Sequence, residues 1–191
     1  RMEVQAFVLM AALLVIVGLF VTIVSVHLLT LLQSRGFSLA EAVALGALIG
    51  PAQVGARLLE MAGRGRHHPL WTMTASVLLC ALGMVLLAMG ADLAALAIIL
   101  YGAGNGIFSI ARGALPMSIF GPDRYAVVMG QLARPSLIAQ ASGPVLGGAV
   151  LAYLGSQATL SLMAGLAALN IVIVSGLWLI HRAARRAGRA V

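Results

Sequence analysis

The stretch from Val4 to Leu32 contains no charged side chain and is apolar at nearly every position. A helix that crosses a bilayer needs ~20 such residues, so this one segment already exceeds a span. It is too long for the ~7–15-residue core of a secretory signal, and no plausible cleavage site follows it. The rest of the chain continues in the same way. Of the 191 residues 62% are hydrophobic and 9% charged, against roughly 45–50% and about 25% in water-soluble domains. A soluble fold this apolar could not cover its own surface. Six spans of ~20 residues would use about 120 positions, close to the apolar share of the chain. The composition specifies a polytopic helical membrane protein and excludes secreted, disordered and nucleic-acid-binding classes.

The formal charge of +7 comes with 12 basic residues, all of them arginine. Most sit at the ends of apolar segments, where positive charge sets membrane orientation rather than binding nucleic acid. The single cysteine, Cys80, lies inside an apolar run, which leaves no disulfide framework and no zinc site. No cofactor and no metal are expected. The opening Arg1-Met2 suggests a piece of a longer chain.

Turn and cap signals divide the chain into six predicted helices, at about residues 4–32, 39–62, 70–89, 93–113, 124–154 and 157–181. Gly36 can take the left-handed conformation that closes the first, and Ser38 with Glu41 has capping-box spacing for the second. A polar loop with His67 and His68 precedes the third, and Asp92 is the expected N-cap of the fourth. Gly121-Pro122-Asp123 and Gly155-Ser156 are the remaining turns. His67-His68 reads as a solvated pair.

Six spans put both termini on one side. That side holds Arg1, Arg57, Arg64, Arg66, Arg112, Arg124, Arg182, Arg185, Arg186 and Arg189, while the opposite loops hold only Arg35. The positive-inside rule then places both termini in the cytoplasm of a cell whose inner membrane contains the protein.

Gly50-Pro51-Ala52-Gln53-Val54-Gly55-Ala56 and Gly143-Pro144-Val145-Leu146-Gly147-Gly148-Ala149 both read G-P-x-x-x-G-A. They fall in the second helix of each three-helix unit, and an odd number of spans gives the two units opposite senses. Paired Gly/Pro interruptions in matching helices point to inverted-repeat transporters. The plainer reading is that Gly and Pro are frequent in membrane helices anyway. Small residues with no polar partner predict faces where another helix approaches, so Gly46, Gly50, Gly143 and Gly147 are expected to be exposed in this chain by itself.

Polar residues recur at helical spacing along four segments. The second carries Gly46, Gly50, Gln53, Arg57 and Glu60, the fourth Tyr101, Asn105, Ser109 and Arg112. The fifth carries Ser136, Gln140, Gly143 and Gly147, the first Phe20, His27, Thr30 and Ser34. Each set occupies one helix face. The third and sixth segments carry little besides hydroxyls and Asn170, so they can face lipid. Gln53, Asn105 and Gln140 either bond neighbouring helices, at ~0.6 kcal/mol per contact, or line a cavity. His27 either donates to a backbone carbonyl or serves a substrate or proton. Arg134 either snorkels to the interface or meets an anion. His27, Gln53, Tyr101, Asn105, Arg134 and Gln140 are the candidates for a solute path. Arg57 and Arg64 stand within one helical turn of Glu60, and with Arg112, on the same membrane face of the fourth helix and placed for a cross-helix contact, they form a candidate cytoplasmic gate.

Enzyme motifs are absent: there is no H-E-x-x-H, no G-x-S-x-G and no P-loop. Gly102-Ala103-Gly104-Asn105-Gly106 follows no strand, and Gly102 and Gly106 form a GxxxG packing step instead. All five carboxylates, Glu3, Glu41, Glu60, Asp92 and Asp123, lie at segment ends, so the chain lacks the deep acid that proton pumps usually need.

With these features the chain resembles one half of a major facilitator superfamily transporter. Residues 56–66 resemble the family's loop motif G-x-L-x-D-R-x-G-R-R, with Glu60 in the acidic place and Gly63 and Arg64 matching. Ala56, Met61 and Gly65 depart from it. Gly130, Ala139, Gly143, Pro144, Gly147 and Gly148 resemble the family's fifth-helix antiporter motif, with alanine for one glycine. The weakened loop motif, a fourth helix lacking the arginine of the first half, and the missing deep acid are similar to the C-terminal half of bacterial exporters. The resemblance implies a fold of six transmembrane helices as two inverted three-helix repeats. It implies alternating-access transport of a small organic solute, in the direction of efflux, in partnership with an N-terminal six-helix half. Helices one and four would line the path, and Gly50, Pro51, Gly143, Pro144, Gly147 and Gly148 would serve packing and hinge motion between two and five. The competing classes are a stand-alone homodimeric carrier or channel and an intramembrane enzyme.

Overall fold

A computed structural model describes residues 2–63 and 66–186. Arg1, Arg64, Gly65 and Arg189, used above, lie outside the described residues. Those residues are helical almost throughout: α1 (Met2–Gln33), α2 (Leu39–Ala47), α3 (Ile49–Ala62), α4 (Pro69–Met89), α5 (Ala94–Phe120) and α6 (Pro122–Arg186). With α2 and α3 taken as one stretch, five helices are long and apolar enough to cross a membrane. The protein is built to be membrane-embedded.

The local signals at the first turn act as expected. Gly36 sits at φ 96 after α1. Ser38 closes a full capping box, its N–H donating to Glu41 Oε2 at 2.8 Å and its hydroxyl accepting from the Glu41 N–H at 3.3 Å. Three other boundaries differ. The predicted second helix is interrupted at Leu48, one turn before Pro51. Proline has no N–H to offer the carbonyl of residue 47, and its ring crowds that carbonyl, so the Leu48 N–H turns back to Leu45 O at 3.0 Å. The predicted fourth helix does not stop at 113 but continues through Pro116 to Phe120, because Leu115 and Phe120 bury against the start of α1. Phe7 meets the Phe120 ring edge-on at 6.4 Å. Asp92 caps nothing: Leu93 occupies the N-cap of α5 without a side-chain bond, and the Ala94 N–H donates to Ala91 O instead.

The α6 element counts 65 residues and turns at Gly155, whose φ of 80 and ψ of 176 are not helical. Its two limbs run in opposite directions along α1. On the first limb, Arg124 pairs with Glu3, Ser136 bonds Leu14, and His27 bonds Pro144, so limb and α1 are parallel. On the second limb Gly176 lies against Leu9, while Leu160 and Met163 join a core with Phe20 and Ile23. That limb is antiparallel to α1. A second seam joins α5 to α3 and α4 through glycines. A Cβ on Gly106 would sit 2.5 Å from Gln53 O, and one on Gly104 would sit 2.7 Å from Ser76 O. Backbones can approach this closely only where the side chain is absent.

Aromatic residues gather at the end of the bundle where α4 starts and the second limb finishes. Trp71 and Trp178 meet edge-on at 4.8 Å, and the Trp178 indole donates to Thr74 Oγ1 at 2.9 Å. Tryptophan at such a level marks a membrane–water interface. His68 is part of this cluster rather than of a solvated pair. Its Nδ1 accepts from the Leu70 N–H at 3.2 Å, and its ring lies 4.2 Å from that of His181. Burial, and then the neighbouring His181 and Arg185, hold its pKa below the ordinary histidine value.

Candidate functional site

A cavity of about 460 Å³ lies among α1, α3, α5 and the first limb of α6. Neither α4 nor the second limb contributes to its wall. Its apolar lining is Leu14, Val17 and Val21 of α1, Phe108 of α5, and Met129, Leu132 and Leu137 of the first limb. Its polar lining is Arg57, Asn105, Ser109, Arg112, Ser136 and Gln140. Asn105, Ser109 and Arg112 are one and two turns apart on α5, so a single helix face presents all three. Ser136 and Gln140 stand one turn apart on the limb opposite. Gly18 lets α1 come close to them, since a Cβ there would be 3.0 Å from Gln140 Cγ and 3.1 Å from Ser136 Oγ.

Several of these groups are already engaged. The Ser136 hydroxyl donates to Leu14 O at 3.1 Å and the Ser109 hydroxyl to Gly106 O at 2.7 Å. Gln140 Nε2 donates to Ser136 O at 3.3 Å and to Ser136 Oγ at 3.2 Å. Arg57 Nε donates to Gly106 O at 3.2 Å, which tethers its guanidinium across the α3–α5 seam. A second, much smaller void of about 10 Å³ sits behind the cavity between Ser76, Asn105 and Asn170. Asn170 is buried and its Oδ1 has no partner among the described residues.

Of the six solute-path candidates, the structure brings only Asn105 and Gln140 to the cavity. Tyr101 is 2% exposed and packs edge-on against Phe20 at 5.5 Å. One turn of α5 away from Asn105, it has rotated toward α4, where Gly83 leaves room for it. His27 sits nearer the far end of α1, with Nε2 3.0 Å from Pro144 O, the structural alternative for that residue. Gln53 has its backbone pressed against Gly106 and does not reach the wall. Arg134 is exposed on the outside of the limb.

Of the candidate gate, Arg57 and Arg112 line the cavity and Glu60 does not. Glu60 accepts from Thr72 Oγ1 at 2.6 Å and forms no ion pair among the described residues. Arg57 turns into the cavity wall, as does Arg112, and Arg64 lies outside the described residues. The ion pair found among the described residues is Arg124–Glu3, 2.8 Å apart with both side chains 60% exposed. The packing glycines divide as well. Gly50 is exposed with open space around it, as expected, but Gly143 and Gly147 are buried against Thr22, Ile23 and His27. The expectation of exposure fails for them because α1 fills the groove they leave.

Thr72 and Asn170 were not legible as partners or buried polar groups, because hydroxyls and a lone amide on a predominantly apolar helix give no periodic signal. Ser109 and Ser136 did stand in the polar stripes. Among the described residues no group of three or more His, Cys, Asp or Glu side chains is placed to hold a metal ion. No protein-family model matches the chain, and neither a curated protein nor a solved structure matches it.

Proposed function

We propose that this chain is a six-span half of a secondary transporter that carries a small organic solute across a cell's inner membrane by alternating access. One observation carries the reading: a cavity with amides, hydroxyls and two arginines, walled by four helices of an otherwise apolar bundle. Polar and ionisable side chains at membrane depth, facing a cavity, mark solute paths. Gly155 turns α6 back on itself; at ~1.5 Å per residue the element would otherwise be about three bilayers long. We therefore read its limbs as the fifth and sixth spans. The pairing of spans supports two repeats related as the resemblance to major facilitator transporters implies. The first span packs on the fifth through Gly143 and Gly147, and the fourth packs on the second through Gly102 and Gly106.

In this reading both ends of the segment are cytoplasmic, the N-terminal six-helix half covers the open Gly50 face of α3, and the direction is efflux. No catalytic step is assigned. The test is thiol labelling of the full-length protein in membranes, in a Cys80→Ala background. Ser109→Cys and Ser136→Cys should react with a membrane-impermeant thiol reagent, while Tyr101→Cys and His27→Cys should stay protected. Protection of both serine positions from either side of the membrane would remove the aqueous cavity and the transport reading with it.

A further inference from the structure

We infer that the cavity selects organic anions: molecules with a carboxylate or comparable acidic head on an apolar body. The inference rests on reading the cavity as a solute site. Arg57 and Arg112 are the charged residues of its wall, and no carboxylate is among the lining residues. The five acids of the chain are placed elsewhere. Glu3 pairs with Arg124, Glu41 closes the Ser38 cap and Glu60 bonds Thr72, while Asp92 and Asp123 lie beside turns. Two guanidiniums on one cavity wall repel each other and lack a counter-charge from that wall. An anion supplies it.

The remaining polar groups sharpen the preference. The Ser109 and Ser136 hydroxyl hydrogens are committed to helix carbonyls, and Gln140 Nε2 is directed at Ser136. The donors left over are the terminal guanidinium nitrogens and the Asn105 amide, which makes no side-chain hydrogen bond among the described residues. Guanidinium donors in a planar fork match a carboxylate or phosphate in both charge and shape. Arg57 is also held in place through Nε at Gly106 O, so its outer edge is presented with little freedom to lose. Around these donors the same lining carries Leu14, Val17, Val21, Phe108 and Leu132, apolar surface for the hydrocarbon part of the same molecule. A volume of about 460 Å³ is in the range of small-molecule sites.

The experiment compares three molecules that share one ring system: 2-naphthoate, 2-naphthalenemethanol and 2-naphthylmethylamine. Binding to the full-length purified protein in detergent is read by equilibrium dialysis and by the thermal-unfolding shift. Naphthoate should bind about tenfold or more tightly than the alcohol, should weaken as salt rises, and the amine should not bind. Joint Arg57→Gln and Arg112→Gln should abolish the difference between acid and alcohol. Joint Arg57→Lys and Arg112→Lys, which keeps the charge if the glutamine variant fails to fold, should retain part of it. Arg134→Gln, outside the cavity, should change nothing. Equal or tighter binding of the alcohol or amine, no naphthoate binding, or full naphthoate preference in the glutamine variant overturns the anion assignment. Flux in proteoliposomes separates the two readings. Naphthoate that binds but is not carried breaks the transport reading alone, and transport of the amine or alcohol with no preference for naphthoate breaks the anion assignment alone.

Discussion

Gly50-Pro51 and Gly143-Pro144 open two copies of one seven-residue pattern, yet they finish in opposite surroundings. Before Pro51 the helix breaks at Leu48, and a Cβ on Gly50 would meet nothing within 4 Å. Across Pro144 the limb continues unbroken, with Gly143 against Thr22 and Gly147 against Ile23 and His27. The difference lies in which helix of each pair supplies the missing side chains. In the α1–limb seam the glycines are on the limb, so the pattern is the contact. In the α3–α5 seam they are Gly102 and Gly106 of α5, so α3 presents Ile49, Ala52 and Gln53 to them and leaves Gly50 on its outer side. A proline removes one hydrogen bond from each helix, yet the limb whose glycines pack on α1 runs through Pro144 as one helix.

The contrast can be broken at its tightest point first. Gly106→Val forces a branched side chain onto the Gln53 backbone, which cannot rotate away, and should cost about 3 kcal/mol, the top of the usual overpacking range. Unfolding of the purified protein by SDS titration measures it. A loss below about 1 kcal/mol would mean that α3 is free to slide and that the seam is not what fixes it.

Gly143→Val should cost less, about 2 kcal/mol, because the obstacle is the Thr22 side chain rather than backbone. Adding Thr22→Ala should return most of that loss, and a double-mutant cycle with no coupling between the two positions would separate the limb from α1. His27→Ala removes the contact to Pro144 O at 3.0 Å and should cost ~1 kcal/mol, in line with interhelical bonds in other membrane bundles. The smallest effect belongs to the open copy. Gly50→Val should shift stability by no more than ~0.5 kcal/mol and should lower transport by the full-length protein, since in the proposed arrangement that face meets the other half. A large loss of stability at Gly50 would erase the distinction between the copies.

How far the sequence could be read follows from the same physics. Features set within one or two turns of chain were legible: the Ser38–Glu41 box, the left-handed Gly36, the turn at Gly155, and the long apolar segments themselves. Polar spacing also chose the right helices, since the cavity takes its wall from the four that carry stripes. Of the six residues it proposed for the path, Asn105 and Gln140 line that wall, and His27, Gln53, Tyr101 and Arg134 do not. Four residues along a helix advance ~6 Å and rotate about 40° beyond a full turn, enough to carry Tyr101 away from Asn105 and into the space above Gly83. Contacts between distant segments left still less trace. Nothing near Glu60 announces Thr72, and nothing near His27 announces Pro144. The seam that buries Gly143 is written partly in Thr22 and Ile23, which read as ordinary apolar filling of α1.

The parallel pairing of α1 with the first limb of α6 has a consequence for how the chain is made. Its bonds join residues 117 (His27–Pro144), 121 (Arg124–Glu3) and 122 (Ser136–Leu14) positions apart. At synthesis rates of ~5–20 residues per second, roughly 6–24 s separate the emergence of α1 from that of its partner. Throughout that interval Thr22 and His27 are in the bilayer before the groove they fit has been translated. Although α1 is translated before the other described helices, it is therefore among the last of them to be seated, and a chain released before residue 147 leaves the ribosome without the surface that α1 was shaped to meet.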